Sequence, residues 1–173
     1  STDYTLLVTL SSLRVPRGDS RLADESVARD ASDERRRSVQ RAKAERAYAW
    51  EGRELLRKRL LGHRVRVRVD YTKDAMPAKG SERMLPAKSF YSVWQDQLNV
   101  GVLLVERGLA TVIDHGAQNV QRAFDYSLYE LAEQRARKAR RGLHGKPENA
   151  PAHHVNDCTR SGGGASGGGG ASG

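Results

Sequence analysis

A chain of 173 residues is long enough to bury one good core and short for two. Its 30 Lys+Arg against 21 Asp+Glu give a formal +9 and a pI near 10.0, which favours a polyanionic partner, nucleic acid ahead of an anionic membrane surface. Cys158 is the only cysteine, so an intrachain disulfide is excluded and a reducing compartment is the simpler setting; no apolar run reaches the length of a membrane span and no signal-peptide core opens the chain.

Residues 4–13 are rich in β-branched and aliphatic side chains and stop at Arg14-Val-Pro-Arg-Gly18, which predicts a strand and a turn. A chain that opens in mid-strand is expected to be a piece of a longer protein. Residues 19–44 read as a charged, solvated insertion, its first half mobile or loosely helical. From residue 44 to 61 the pattern is helical, with Ala47, Trp50, Glu54 and Leu55 in one sector, Tyr48, Leu56 and Leu60 beside it, and Gly62 as the stop. A strictly alternating strand follows over 63–71. Val65, Val67, Val69 and Tyr71 should bury one face while Arg64, Arg66, Arg68 and Asp70 take the other. Prolines, a glycine and charges make 72–88 a loop, and 89–94 is the next strand, turned by Gln95-Asp-Gln97.

Asn99-Val-Gly-Val-Leu-Leu-Val-Glu-Arg-Gly-Leu-Ala-Thr-Val112 reads as a short helix over 99–107 and a strand over 109–113. Asn99 is placed to cap the helix, Gly108 to end it in the left-handed conformation, and Val100, Leu103 and Leu104 to bury one face. The last helix is predicted over 119–141, with Phe124, Leu128 and Leu131 as its buried stripe, Val120 and Ala132 alongside, and Gly142 at its end. Trp50 and Phe124 are assigned to the core. Residues 161–173 are only Gly, Ala and Ser, a flexible linker or tail. The order strand, helix, strand, strand, helix, strand, helix suits a Greek-key barrel better than a parallel βαβ sheet, so the fold class is mainly β with helices, α+β.

The helix–Gly-Leu-Ala-x-Val unit resembles the signature of staphylococcal-nuclease-like domains. Leu6-Leu-Val-Thr-Leu-Ser-Ser-Leu-Arg-Val-Pro-Arg17 resembles the second-strand-to-loop region of the nuclease-like repeats in Tudor staphylococcal nuclease proteins. Glu51-Gly-Arg-Glu-Leu-Leu-Arg-Lys-Arg-Leu-Leu-Gly-His-Arg-Val-Arg-Val-Arg-Val-Asp-Tyr71 is similar to their helix and third strand. Ser81-Glu-Arg83, Gly142-Leu-His-Gly-Lys146 and His154-Val-Asn-Asp157 are similar to that group too, and the third of its four tandem repeats is the best likeness. The resemblance implies one nuclease-like OB-fold domain over 1–160 with about three helices. The family barrel has five strands and only four are legible here, so the first strand, with the turn carrying a metal-binding aspartate, is expected upstream. The chain is then expected to need that neighbour for stability.

The secreted bacterial nuclease of this family cleaves phosphodiesters with Ca²⁺ held by carboxylates, a glutamate that orients water and two arginines on the phosphate. A hard cation needs oxygen ligands, and the pentavalent phosphate needs positive charge where its own charge builds. The alignment puts Thr9 at the first arginine, Arg14 and Val15 at the aspartate–threonine metal corner, and Arg17 at the glutamate. Arg83 or Lys88 stands for the second arginine. Arginine neither binds Ca²⁺ nor acts as a base, so no catalytic residue, metal ligand or cofactor is expected. Ca²⁺ enters only under the alternative of an active metal-dependent endonuclease that borrows ligands from the upstream strand or a neighbouring repeat.

What remains is a basic surface. Arg14 and Arg17 flank a turn, and Arg64, Arg66 and Arg68 project from a strand. Arg135, Arg137, Lys138, Arg140 and Arg141 crowd the end of the last helix. Such groups hold phosphates without reading sequence, and salt weakens them steeply. Each also has a plain structural role. The arginine row reads as a solvated face, with or without acids of a neighbouring strand paired to it, the last-turn cations answer the helix dipole, and Arg14 and Arg17 cap a loop. Base stacking rests on Tyr71, Phe90, Tyr91 or Trp94. His153, His154 and Cys158 lack the company of a zinc site. Glu130 and Glu133 read as solvent-facing, and Asp70 and Asp74 as strand-end and loop residues. The resulting reading is a catalytically degenerate RNA-binding and scaffolding repeat. The resemblance implies single-stranded RNA, neighbouring repeats with a Tudor domain, and silencing-complex proteins as partners, no membrane, and a cytoplasmic and also nuclear setting. A purely structural protein–protein repeat is the third reading. Converting Arg64, Arg66 and Arg68 to glutamine is expected to leave folding nearly unaffected, and Val67→Asp to unfold the barrel.

Overall fold

Ser32 opens the longest element. In the computed structural model, which describes residues 5–18, 31–78, 80, 83–116 and 121–151, its side chain accepts the Arg35 amide at 3.3 Å and helix α1 runs Asp33–Leu60. Asp33 and Glu34 in the first turn and Arg57, Lys58 and Arg59 in the last match the helix dipole. The helix therefore starts at Asp33 rather than residue 44 and absorbs the described end of the charged segment. Val39, Ala42, Ala44, Ala47, Tyr48 and Gly52 are its buried residues. Trp50, expected in the core, is 49 % exposed, because two residues turn it about 200° away from Tyr48.

The strands are β1 (Leu13–Arg14), β2 (Arg66–Lys73), β3 (Met76–Pro77), β4 (Met84–Leu85), β5 (Lys88–Gln95), β6 (Leu98–Asn99) and β7 (Thr111–Val112). Antiparallel pairs join β2 to β5, β5 to β6, β3 to β4 and β1 to β7. The strand predicted over 4–13 reduces to β1 and a parallel bridge between Leu10 and Tyr91. Ser12, at φ +56, kinks this segment and hands its pairing from one strand to the next. Before the kink the Tyr91 N–H donates to the Thr9 carbonyl at 2.8 Å; after it the Ile113 N–H donates to the Ser12 carbonyl at 2.9 Å. The segment through Leu10 and β1 thus joins the β2–β5–β6 sheet to the β1–β7 pair, and with three α-helices among the described residues the architecture is α+β, in open antiparallel sheets.

Helix α2 (Val100–Glu106) begins as expected, with the Asn99 side-chain Oδ1 accepting the Gly101 amide at 2.8 Å and Gly108 ending the turn at φ +71. Its face carries Leu104 and Val105 into a core shared with Ala44, Tyr48, Leu109, Ala110 and Ala132. Helix α3 spans Tyr126–Lys138, and residues 121–125 before it are not helical. Its buried residues are Tyr126, Tyr129, Ala132 and Ala136. Phe124, Leu128 and Leu131, the predicted stripe, are 65, 48 and 44 % exposed. The correction has a steric cause: α2 approaches so closely that only small residues and the in-line tyrosines fit. A Cβ on Gly101 would stand 2.5 Å from the Tyr129 hydroxyl oxygen. Gly101→Ala should therefore lower stability by about 1–3 kcal/mol despite its better helix propensity, and urea unfolding would measure it. An unchanged midpoint would mean the helices separate freely.

Glu133, read as solvent-facing, instead reaches β7. Its side chain is 13 % exposed, accepts the Val112 amide at 3.0 Å and pairs with Arg137. The readings for Val120, His153, His154, Cys158 and the glycine tail concern residues outside the described set.

Candidate nucleic-acid interface

Residues directly opposite in an antiparallel pair share a face. Arg66 lies opposite Trp94 and Arg68 opposite Ser92, so the arginine row shares its face with the inner side of β5. A register slip between Val69 and Tyr71 makes Asp70 a bulge. Beyond it Tyr71 lies opposite Phe90 and Lys73 opposite Lys88. The bulge thus moves Tyr71 off the valine face, where simple alternation puts it, and onto the arginine face. One face of the β2–β5 ladder now carries Arg66, Arg68, Tyr71, Lys73, Lys88, Phe90 and Trp94.

The cations on this face stand over rings. The Arg66 guanidinium is 5.0 Å from the Trp94 ring centroid and Arg68 is 3.9 Å from that of Phe124. Lys73 and Lys88 approach Phe90 at 5.5 and 5.6 Å, and Tyr71 stacks on Phe90 at 4.7 Å with 18° between planes. Arg64, Arg66 and Arg68 are all exposed, and none of them pairs with an acid among the described residues, so the row is solvated without acid partners there. Trp94 is buried beneath Arg66 and Tyr91 lies on the opposite face, which leaves neither free to stack a base. Phe124, assigned to the core from sequence, is the ring most open to solvent here. Lys73 and Phe124 are the members that sequence reasoning missed; Lys73 falls into line only once the bulge is known.

Asp70 is not a strand-end residue. Its carboxylate accepts hydrogen bonds from the Ser11 hydroxyl and, at 2.6 Å, from Ser92, and its other oxygen is buried without a hydrogen-bond partner among the described residues. The valine face is also not buried. Val65, Val67 and Val69 are 41, 38 and 53 % exposed, because β2 is an outer strand whose one close neighbour among the described elements is β5. Val67→Asp consequently places its carboxylate at a half-open edge and is no longer expected to unfold the chain.

The other basic candidates are dispersed. Arg14 and Arg17 are exposed around the turn after β1, and Arg83 precedes β4. Arg137 is held by Glu133 at 3.0 Å, Lys138 ends α3, and Arg140 and Arg141 follow it. At the metal corner that the resemblance implies stand Arg14 and Val15, and at its water-orienting glutamate Arg17; none of these side chains offers an oxygen, so they do not fit the ion. Among the described residues no group of three His, Cys, Asp or Glu side chains lies together to hold a metal.

His115 borders the same face, edge-on to Tyr71 and Tyr126, with its Nε2 2.8 Å from the Ser12 hydroxyl. Burial, reinforced by Lys73 and Arg122 and opposed by Asp114, holds its pKa below the usual 6.5. Burial lowers His144 likewise. Both bind a proton less readily in the fold than in the unfolded chain, so as pH falls through about 6.5 the unfolded chain takes up more protons and stability declines until the folded groups titrate as well. Thermal melts from about pH 8 to about pH 5 should show that decline, smaller in His115→Gln. A flat profile would show that these imidazoles are open to water.

A family model described as staphylococcal nuclease homologue matches residues 30–145. The chain is 35 % identical over 112 residues to staphylococcal nuclease domain-containing protein 1 of Drosophila melanogaster, covering 65 % of this chain and 11 % of that protein. It is 34 % identical over 100 residues to the protein of the same name in Schizosaccharomyces pombe, covering 57 and 11 %. To ribonuclease TUDOR 2 of Arabidopsis thaliana it is 29 % identical over 130 residues, covering 65 and 13 %. The chain thus spans about a tenth of the length of these relatives.

Proposed function

Because this chain belongs to the staphylococcal nuclease homologue family, we propose that it is a nuclease-like repeat that holds single-stranded RNA on a basic, aromatic face and does not itself cleave it. The observation that carries this reading is the β2–β5 face, where four cations share one side of a two-strand ladder with rings. Guanidinium and ammonium groups take phosphates without regard to sequence, and rings accept any base. Single strands suit such a face because their bases are free to splay. We further place this role in a larger protein of RNA silencing or turnover, beside other repeats and a Tudor domain, in the cytoplasm and nucleus.

Fluorescence anisotropy with single-stranded RNAs of different sequence tests the binding. Affinities should be similar between sequences. If Arg66, Arg68, Lys73 and Lys88 all engage phosphates, the log–log salt slope should have a magnitude of about 3, roughly 0.7 per contact. Salt-independent binding, or none at low salt, would sink the reading. For catalysis, RNA and DNA incubated with the chain should stay intact with Ca²⁺ as with chelator. Chelator-sensitive cleavage that survives repurification would favour the enzyme alternative instead. A second reading, a repeat that packs on a protein neighbour, draws support from the exposed Val65, Val67 and Val69.

A further inference from the structure

Arg107-Gly108 and Arg141-Gly142 meet back to back. Both glycines are left-handed, at φ +71 and +52, and the Leu143 N–H donates to the Gly108 carbonyl at 2.8 Å. A Cβ on Gly142 would overlap the Gly108 carbonyl, and one on Gly108 the Arg141 carbonyl. This crossing sets the C-terminal ends of α2 and α3 side by side. Between them and α1 lies a cavity of about 570 Å³, lined among others by Tyr48, Glu51, Arg107, Arg140, Arg141 and Asn149. That volume falls in the range that accepts a molecule the size of a nucleotide. The cavity stands at the opposite end of α3 from Phe124, roughly 20 Å away along the helix, so it is separate from the β2–β5 face.

Two helix C-termini attract cations whatever else is present, and part of the charge here answers them. Arg141 does so, its Nη1 donating to the Glu106 carbonyl at 3.3 Å. Arg107 and Arg140 do not: their side chains make no hydrogen bond or ion pair among the described residues, and neither does Glu51. Arg140 also sits beyond the Ala139 cap at φ 51, where glycine is the relaxed choice. The chain keeps a guanidinium there against the backbone's preference. Two guanidinium groups and a carboxylate, without partners among the described residues, stand around one cavity and suit a ligand that carries both an anion and hydroxyl donors.

We propose that this cavity binds one nucleotide of a single-stranded RNA, with its phosphate on Arg107 and Arg140 and a ribose hydroxyl donating to the Glu51 carboxylate. Glu51 would then favour RNA over DNA, because it accepts from the 2′-hydroxyl and merely repels a deoxynucleotide's phosphate. This inference rests on the single-strand reading above, and its test keeps the two apart. Ribo- and deoxyribo-oligonucleotides of one sequence are bound to the full chain and its variants. Adenosine 5′-monophosphate and inorganic phosphate are titrated separately, followed by the amide signals of Gly108 and Gly142.

Arg140→Gly should weaken RNA binding by about tenfold, the loss of one charge-assisted contact, while leaving the melting temperature unchanged or higher. Arg107→Gln should weaken it similarly. Glu51→Ala should lower RNA affinity and raise DNA affinity, erasing the preference. The mononucleotide should shift both glycine amides at lower concentration than phosphate. If the arginine variants keep full RNA affinity, the cavity proposal falls and the single-strand reading stands. Equal gains for RNA and DNA in Glu51→Ala would overturn the ribose contact, and phosphate binding as tightly as the mononucleotide would overturn the nucleotide. If the unaltered chain binds no strand, the earlier reading falls, and the mononucleotide titration alone decides for or against the cavity.

Discussion

Gly142→Ala is expected to destabilise this protein by about 2–5 kcal/mol, and Gly108→Ala by a similar amount. Two costs combine at each position. An L side chain in the left-handed region loses about 1–2 kcal/mol. The added methyl also meets main chain rather than a mobile side chain: on Gly142 it overlaps the Gly108 carbonyl, and on Gly108 the Arg141 carbonyl. Backbone cannot swing aside as a rotamer can, so α2 and α3 must move apart, a further cost of about 1–3 kcal/mol. Gly62→Ala is the control, because Gly62 has φ +78 with open space around it and should lose the conformational part alone. Urea unfolding of the three variants separates the two contributions. Equal losses at all three positions would show that the close crossing carries no energy of its own.

Local rules read well from the sequence, and long-range ones read poorly. Asn99 and Gly108 were legible because a cap and a left-handed stop depend on a few neighbouring residues. Ser32-Asp33-Glu34 carried an equally local start signal for α1, obscured by the charge-rich segment around it. The valine alternation located β2, yet Asp70 reverses its phase because Ser11 and Ser92, distant in sequence, hold that carboxylate inward. One inserted residue thereby decided which side chains share a face, and so the composition of the candidate site. Helix α3 shows the same limit. Phe124, Leu128 and Leu131 have the stronger hydrophobic signal, but Tyr129 and Ala132 bury because Gly101 brings α2 against them. Periodicity gives the helix; the neighbour's shape chooses the stripe.

The largest functional effect should come from Arg64, Arg66 and Arg68 converted together to glutamine. If all three contact phosphates, the magnitude of the log–log salt slope for RNA should fall by about 2, at roughly 0.7 per contact. The fold does not leave the same variant untouched, contrary to what the sequence alone led us to expect. Arg66 and Arg68 lie over Trp94 and Phe124, and each loses a cation–π contact worth about 0.5–1 kcal/mol at exposed sites. Loss of RNA binding in this variant could then reflect a loosened face rather than missing charge. Arg68→Lys separates the causes, since it keeps the charge but not the planar group that stacks on Phe124. Phe124→Leu complements it by removing the ring and keeping the arginine. If phosphate contact is what matters, Arg68→Lys binds with nearly the original salt slope although its melting temperature drops, while the triple variant loses slope. If stacking on Phe124 merely organises the fold, Arg68→Lys and Phe124→Leu weaken RNA binding only as far as they lower stability. An unchanged affinity and slope in a folded triple variant would remove the arginine row from the interface and leave Lys73, Lys88 and the cations after α3 to account for any binding.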